Sequence, residues 1–169
     1  NGVQLVERPS EAFQKEQGEP VFDPAGGGIY YTRAISSGST FTYADDSNGD
    51  LFNIFRYDLE SGETETIVDG AGGAVCAAPS PDGRHMAFVR RERINDVLTT
   101  GLYVKDLISG ATRRLHDLDR DNQETWGVMG MYPNMDWTPD SESIVFWAGG
   151  GVHRIDVESG QAEAIPFRV

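Results

Sequence analysis

Apolar residues in this chain fall in short alternating runs divided by tight polar turns. The runs predict strands near 21–23, 28–33, 51–59, 64–68, 74–79, 85–90, 101–107, 112–116, 134–137, 143–148, 151–157 and 161–166. Runs such as Met86-Ala87-Phe88-Val89 and Ile144-Val145-Phe146-Trp147 are almost continuously apolar, which predicts burial on both faces. No helical period competes; only residues 8–17 read equally well as a short helix, with Ser10 as its cap, or as a linker.

The turns recur. Pro24-Ala25-Gly26-Gly27-Gly28, Pro81-Asp82-Gly83-Arg84-His85 and Pro139-Asp140-Ser141-Glu142-Ser143 each lead into an apolar strand, with the prolines 57 and 58 residues apart. A second phrase follows each: Tyr57-Asp58-Leu59-Glu60-Ser61-Gly62, Lys105-Asp106-Leu107-Ile108-Ser109-Gly110 and Ile155-Asp156-Val157-Glu158-Ser159-Gly160. Proline presets the first turn, and Ser-Gly suits a hairpin. With one short strand before each proline, every repeat holds four antiparallel strands. An isolated hairpin buries too little to be stable, so the repeats must pack on one another. This is the make-up of a β-propeller blade. The expected architecture is all-β, a partial arc of three four-stranded antiparallel blades. The predicted division is 1–19 as the end of a preceding repeat or linker, 20–70 and 71–118 as blades, and 119–169 as linker and blade.

The repeats differ most between their second and third strands. Residues 34–50 make a long connection, 90–100 a medium loop, and Ala148-Gly149-Gly150-Gly151 a minimal hairpin. Such insertions project from one face, which is where binding is expected. Both ends read as cuts through a larger object, with Val3 to Val6 resembling the last strand of a preceding repeat. An open arc of three blades would leave two apolar end faces, predicting a homo-oligomer through them.

Composition narrows the partners. Twenty-seven carboxylates against 14 basic residues give a net charge of −13, which opposes nucleic-acid binding. The basic cluster Arg84, Arg90, Arg91 and Arg93 reads as a solvated strand end. No apolar stretch is long enough to span a membrane as a helix. Cys76 alone makes no internal disulfide, and its strand position predicts an inert, buried thiol.

Chemistry-bearing constellations are sparse. His85, His116 and His153 fall one per region, without metal-ligand spacing, so neither metal nor other cofactor is expected. No Gly-x-Ser-x-Gly elbow is present, and the triple glycines lead into no phosphate-binding helix. Asp45-Asp46-Ser47-Asn48-Gly49-Asp50 offers hard oxygen ligands, but Arg56 or Tyr57 stands where an EF-hand needs glutamate. A solvated loop tip is the default there, as for the charged run from Asp117 to Asp121. The connection from Gln123 to Pro133 is rich in aromatic and sulfur side chains. Its Trp126, Met129, Met131 and Tyr132 either fill a gap between blades or form a partner-docking patch.

Thr138-Pro139-Asp140-Ser141 and Ser80-Pro81-Asp82-Gly83, with the Asp-x-x-Ser-Gly hairpins, resemble the repeats of TolB-like, tricorn-type and prolyl-oligopeptidase propellers. Gly18 to Pro24, Gln123 to Gly127, Trp137 to Asp140, Ser143 to Gly150 and Ile165-Pro166-Phe167 are similar to the propeller region of exported bacterial amidohydrolase-family proteins. That resemblance implies a non-catalytic propeller module, periplasmic or secreted, whose partners are further blades and a hydrolase domain. The alternative it implies is a free-standing protein-interaction scaffold of the cell envelope. The turn Ala25-Gly26-Gly27 departs from the pattern by lacking the acidic residue.

Overall fold

A computed structural model describes residues 3–6, 17–35, 52–118 and 134–168 of the chain. The described residues form three four-stranded antiparallel sheets and no helix. Blade 1 comprises β1 (Gln17–Phe22), β2 (Gly28–Ala34), β3 (Phe52–Asp58) and β4 (Thr64–Val68). Blade 2 comprises β5 (Val75–Pro79), β6 (His85–Ile94), β7 (Val97–Asp106) and β8 (Thr112–Asp117). Blade 3 comprises β9 (Met135–Trp137), β10 (Ser143–Ala148), β11 (Gly151–Asp156) and β12 (Ala162–Ile165). In every blade the strands pair in chain order. The close backbone approaches between sheets run from β5 to β1, β2 and β3 on one side and to β9 on the other. The result is a partial propeller arc.

The hairpin phrases fold as their chemistry dictates. Asp58, Asp106 and Asp156 accept hydrogen bonds from the backbone of Ser61, Ser109 and Ser159 at 2.9, 2.8 and 2.7 Å. Gly62, Gly110 and Gly160 close each turn onto the aspartate carbonyl at 2.9 Å, with φ of 73°, 75° and 71°, a region costly for a residue with a Cβ. The proline turns are also locked: Ser80 and Thr138 hydroxyls donate to Asp82 and Asp140 and accept from the His85 and Ser143 amides at 2.9 and 3.0 Å. Blade 1 lacks that acidic residue and solves the turn differently. Asp23 stands where the hydroxyl would be, and Arg56 donates to it at 2.9 Å and to Asp58 at 3.1 Å. A Cβ at position 28 would come within 2.6 Å of the Arg56 guanidinium, so a larger residue there would have to push the arginine off its two aspartates.

Two apolar clusters bind the blades. Tyr30, Ile54 and Val68 of blade 1 meet Met86, Phe88 and Tyr103 of blade 2. The other face of blade 2, Ala87, Val89, Leu102 and Val104, meets Ile144, Phe146, Ile155 and Val157 of blade 3. Blade 2 is therefore apolar on both faces, as its runs predict. We call the face of each blade turned toward the next one in sequence its forward face and the opposite one its backward face.

Three expectations need correction. Residues 90–100 are not a loop: β6 and β7 stay paired to Ile94↔Val97. Asn95 and Asp96 both take positive φ, 50° and 62°, the backbone that lets a two-residue turn match strand twist. Val3–Val6 forms no strand; Gln4 instead bonds the Val6 carbonyl at 3.0 Å, and Val3 is exposed. Finally, the Ile144-Val145-Phe146-Trp147 run is buried on one face only: Phe146 is 2% exposed and Trp147 42%.

Candidate functional site

The two rims of the arc differ. On one, every connection is a minimal turn closed by its own aspartate, and the two turns of each blade are stitched together. Leu59, Leu107 and Val157 amides donate to the carbonyls of Gly27, Arg84 and Glu142 at 2.8, 2.8 and 2.9 Å. Adjacent blades join there through the Asp82 amide and the Ser141 hydroxyl at 3.1 Å. The opposite rim carries the β6–β7 ribbon, the 69–74 connector and the strand ends Ala34, Phe52, Leu118 and Asn134, from which the longest connections depart.

The ribbon is rooted by side chains that the sequence presents as a basic cluster. Arg90 donates to the Gly73 carbonyl at 2.8 Å and to the Asp69 carbonyl, with its guanidinium over Phe88 and Tyr103. The Tyr103 hydroxyl donates to Glu92, which also takes a bond from Arg114 at 3.3 Å. Burial, followed by that carboxylate contact, pushes the Tyr103 phenol well above its ordinary pKa. Arg84 lies on the other rim, paired with Asp106 at 3.1 Å. These arginines are consumed by the fold rather than gathered into a cationic patch. Beyond the root, the ribbon tip exposes Ile94 and Val97.

Along the inner strands sits a polar junction that sequence reasoning missed. Glu19 on β1 and Cys76 on β5 both occupy bulges with positive φ, 53° and 57°. The Glu19 carboxylate accepts from the Cys76 amide at 2.8 Å, the Thr32 hydroxyl at 2.8 Å and the Cys76 thiol at 3.3 Å. Burial, then the nearby carboxylate, raises the thiol pKa far above the ordinary range, so Cys76 is no nucleophile at neutral pH. The junction clamps blade 1 to blade 2.

The histidines are less scattered in space than in sequence. His116 and His153 lie 6.4 Å apart, ring centre to ring centre; both contact Phe146, His116 across the blade 2–blade 3 boundary and His153 as its strand partner within blade 3. His153 Nε2 is 3.0 Å from the Ala148 carbonyl. His85 stacks on Trp137, its Nε2 3.9 Å from Asp106. Among the described residues no three potential ligands converge on a metal position. Two small clefts occupy equivalent places on successive blades. One, of about 210 Å³, is lined by His85, Val104, Asp106, Thr112 and Val157. The other, of about 330 Å³, is lined by Ser143, Arg154, Asp156, Ala162 and Glu163.

Trp126, Met129, Met131 and Tyr132, the Asp45–Asp50 run, Asp119 to Asp121 and residues 8–16 lie outside the described residues. Asp117 is ion-paired with Arg114 at 2.9 Å. No helix among the described residues is long and apolar enough to cross a membrane.

No family model matches the chain, and no curated protein matches it. Solved structures do. The chain is similar to TolB from Acinetobacter baumannii at 22% identity and a TM-score of 0.62, over 91% of this chain and 33% of that one. It is similar to an oligogalacturonate lyase from Vibrio parahaemolyticus at 17% identity and a TM-score of 0.61, over 95% of this chain and 40% of that one. The β-propeller domain of the Trilobed protease from Pyrococcus furiosus matches at 16% identity and a TM-score of 0.58, over 93% and 45%. These likenesses define the fold as β-propeller. The chain spans between a third and a half of the length of each.

Proposed function

We propose that this chain is a non-catalytic propeller module of a larger exported hydrolase, of amidohydrolase type, which it scaffolds and whose active site it helps to gate. The observation that carries the reading is the contrast between the rims. One is a closed set of self-satisfied turns, and the other gathers the projecting ribbon and the departure points of the long connections. A rim of that kind suits contact with another domain rather than chemistry of its own. Supporting it, the titratable groups that do meet, Glu19 with Cys76 and Glu92 with Tyr103, are engaged in holding strands together. The periplasmic or secreted setting follows from the resemblance of the repeats.

Two experiments test this. The purified chain should hydrolyse no ester, amide or cyclic-amide substrate and retain no stoichiometric zinc. Turnover that disappears in a His85→Asn variant, or tight zinc binding lost when two histidines are replaced, overturns the non-catalytic reading. Reading the coding sequence beyond Val169 separates the two settings. A His-x-His-bearing barrel supports the hydrolase module. Further repeats alone support a free-standing interaction scaffold instead.

A further inference from the structure

One position on the forward face is built differently in each blade. Two residues before the hairpin aspartates stand Arg56, Val104 and Arg154. Blade 1 satisfies its arginine from within the chain. Asp23, immediately before the turn proline, accepts from Arg56 Nε at 2.9 Å, and Asp58 accepts from Nη1 at 3.1 Å. Gly28, four residues after the proline, leaves the guanidinium room to lie there, and the Arg56 side chain is only 23% exposed. Blade 2 has a valine in this place and no guanidinium to satisfy.

Blade 3 keeps the arginine and loses both conditions. Thr138 stands in the place of Asp23, and its hydroxyl is already committed to Asp140 and to the Ser143 amide. Ser143 stands in the place of Gly28, paired with Asp156 as Gly28 is with Asp58, so its Cβ claims the space that glycine leaves to Arg56. Arg154 is left exposed in the cleft of about 330 Å³, beside Ser143, Asp156, Gln161 and Glu163. Asp156 Oδ1 is taken up by the amide and hydroxyl of Ser159. Glu163 is the cross-strand neighbour of Arg154 as Glu65 is of Arg56, and neither glutamate is ion-paired to its arginine. Among the described residues, no carboxylate pairs with Arg154 and no acceptor takes its N–H groups.

We propose that the Arg154 cleft binds a carboxylate brought from outside the chain, which takes on the Nε edge of this guanidinium the place that Asp23 holds on Arg56. The planar guanidinium fork matches a carboxylate better than it matches a spherical anion. Asp156 and Glu163 on the cleft wall set the charge of the ligand. They leave room for one negative charge on one guanidinium and repel a dianion, so phosphate and sulfate are poor ligands. The ligand class is therefore a singly charged carboxylate, either an acidic side chain of another polypeptide or a small free acid. The equivalent cleft of blade 2 keeps about 210 Å³ with blade 3 packed beside it, so a neighbour on that side does not close the site. The site depends on neither setting weighed above for the chain.

The test follows the side-chain Nε–H resonances of Arg154 and Arg56 in the isotope-labelled chain, assigned by their loss in R154K and R56K. Acetate replaces chloride at constant ionic strength and pH. The Arg154 resonance should move and saturate with a Kd on the order of tens of millimolar, the strength of one or two charge-assisted hydrogen bonds. Arg56, already filled by Asp23, should stay still, and phosphate should move neither. D23A opens the blade 1 site and should give Arg56 the acetate response of Arg154. Thr138→Asp combined with Ser143→Gly rebuilds the blade 1 arrangement in blade 3 and should abolish the response of Arg154. An Arg154 resonance that ignores acetate, or that follows phosphate as closely as acetate, overturns the proposal. Both of those readings use the parent chain, so they stand even where a variant fails to fold. N-acetyl-aspartyl amide, whose side chain is its one carboxylate, then identifies the source. Several-fold tighter binding than acetate upholds the site as one for a polypeptide side chain, and equal binding upholds it as one for a free acid. Catalysis enters none of these readouts, so a chain found to be catalytic refutes the proposed function and leaves this site standing.

Discussion

The two ends of the arc carry the same kind of sheet face and treat it differently. On blade 1 the face turned away from blade 2 has Phe55 and Tyr31 stacked and almost fully buried, with Arg33 over the Phe55 ring. On blade 3 the face turned away from blade 2 leaves Trp147 42% exposed beside Arg154 and Glu163, and Ile165 exposed at its edge. The contrast teaches that one outer face of this arc is closed and the other open. The pattern of apolar residues alone does not separate them.

Substitution at adjacent positions of β10 breaks the comparison most sharply. F146A removes a ring buried between blades 2 and 3 and should cost about 3–5 kcal/mol in urea unfolding. W147A, one residue along on the open face, should cost less than about 1 kcal/mol. Equal losses would mean that both faces of blade 3 are filled. At the closed end, F55A should behave like the core substitution, losing about 3 kcal/mol; a near-neutral result would erase the difference between the ends.

Smaller effects sharpen the picture of how the blades are tied. E19A leaves the Cys76 amide and Thr32 hydroxyl without their shared acceptor, so a loss of about 1–3 kcal/mol is expected. Amide exchange should quicken on β1 and β5 while β10 and β11 stay unchanged. Uniform acceleration would show that the junction is not a local clamp.

The hairpin aspartates are expected to contribute to the acid response. The Ser61 amide, with Arg56 assisting, holds Asp58 down to about 2, and the Ser109 amide holds Asp106 to about 2. Both folded values lie below the unfolded one, so these carboxylates stabilise the fold above about pH 4 and lose that contribution as pH falls toward 2. D58N and D106N should therefore flatten the pH dependence of Tm between those limits. An unchanged acid limb would show that the caps do not control it.

Much of the fold was legible in the sequence because turns and strands reinforce each other. The Asp-x-x-Ser-Gly phrases name the donor, acceptor and positive-φ residue of each hairpin, and the apolar runs between them could only be strands. The β6–β7 ribbon escaped because Asn95-Asp96 reads equally well as a loop tip until strand register is known. Glu19 escaped because a bulge at a non-glycine residue leaves no signature in residue type. Trp147 misled because alternation reports two sheet faces without saying which one has a neighbour. Arg56, an ordinary strand arginine in sequence, proves to replace a missing turn residue.

Side-chain oxidation footprinting of the chain, read residue by residue by mass spectrometry, tests the central claim of one closed and one open outer face. Trp147 should oxidise rapidly, while Trp137, Phe146, Tyr31 and Phe55 stay protected until the chain is unfolded. Protection of Trp147 equal to that of Phe146, or oxidation of Phe55 as fast as that of Trp147, would contradict it.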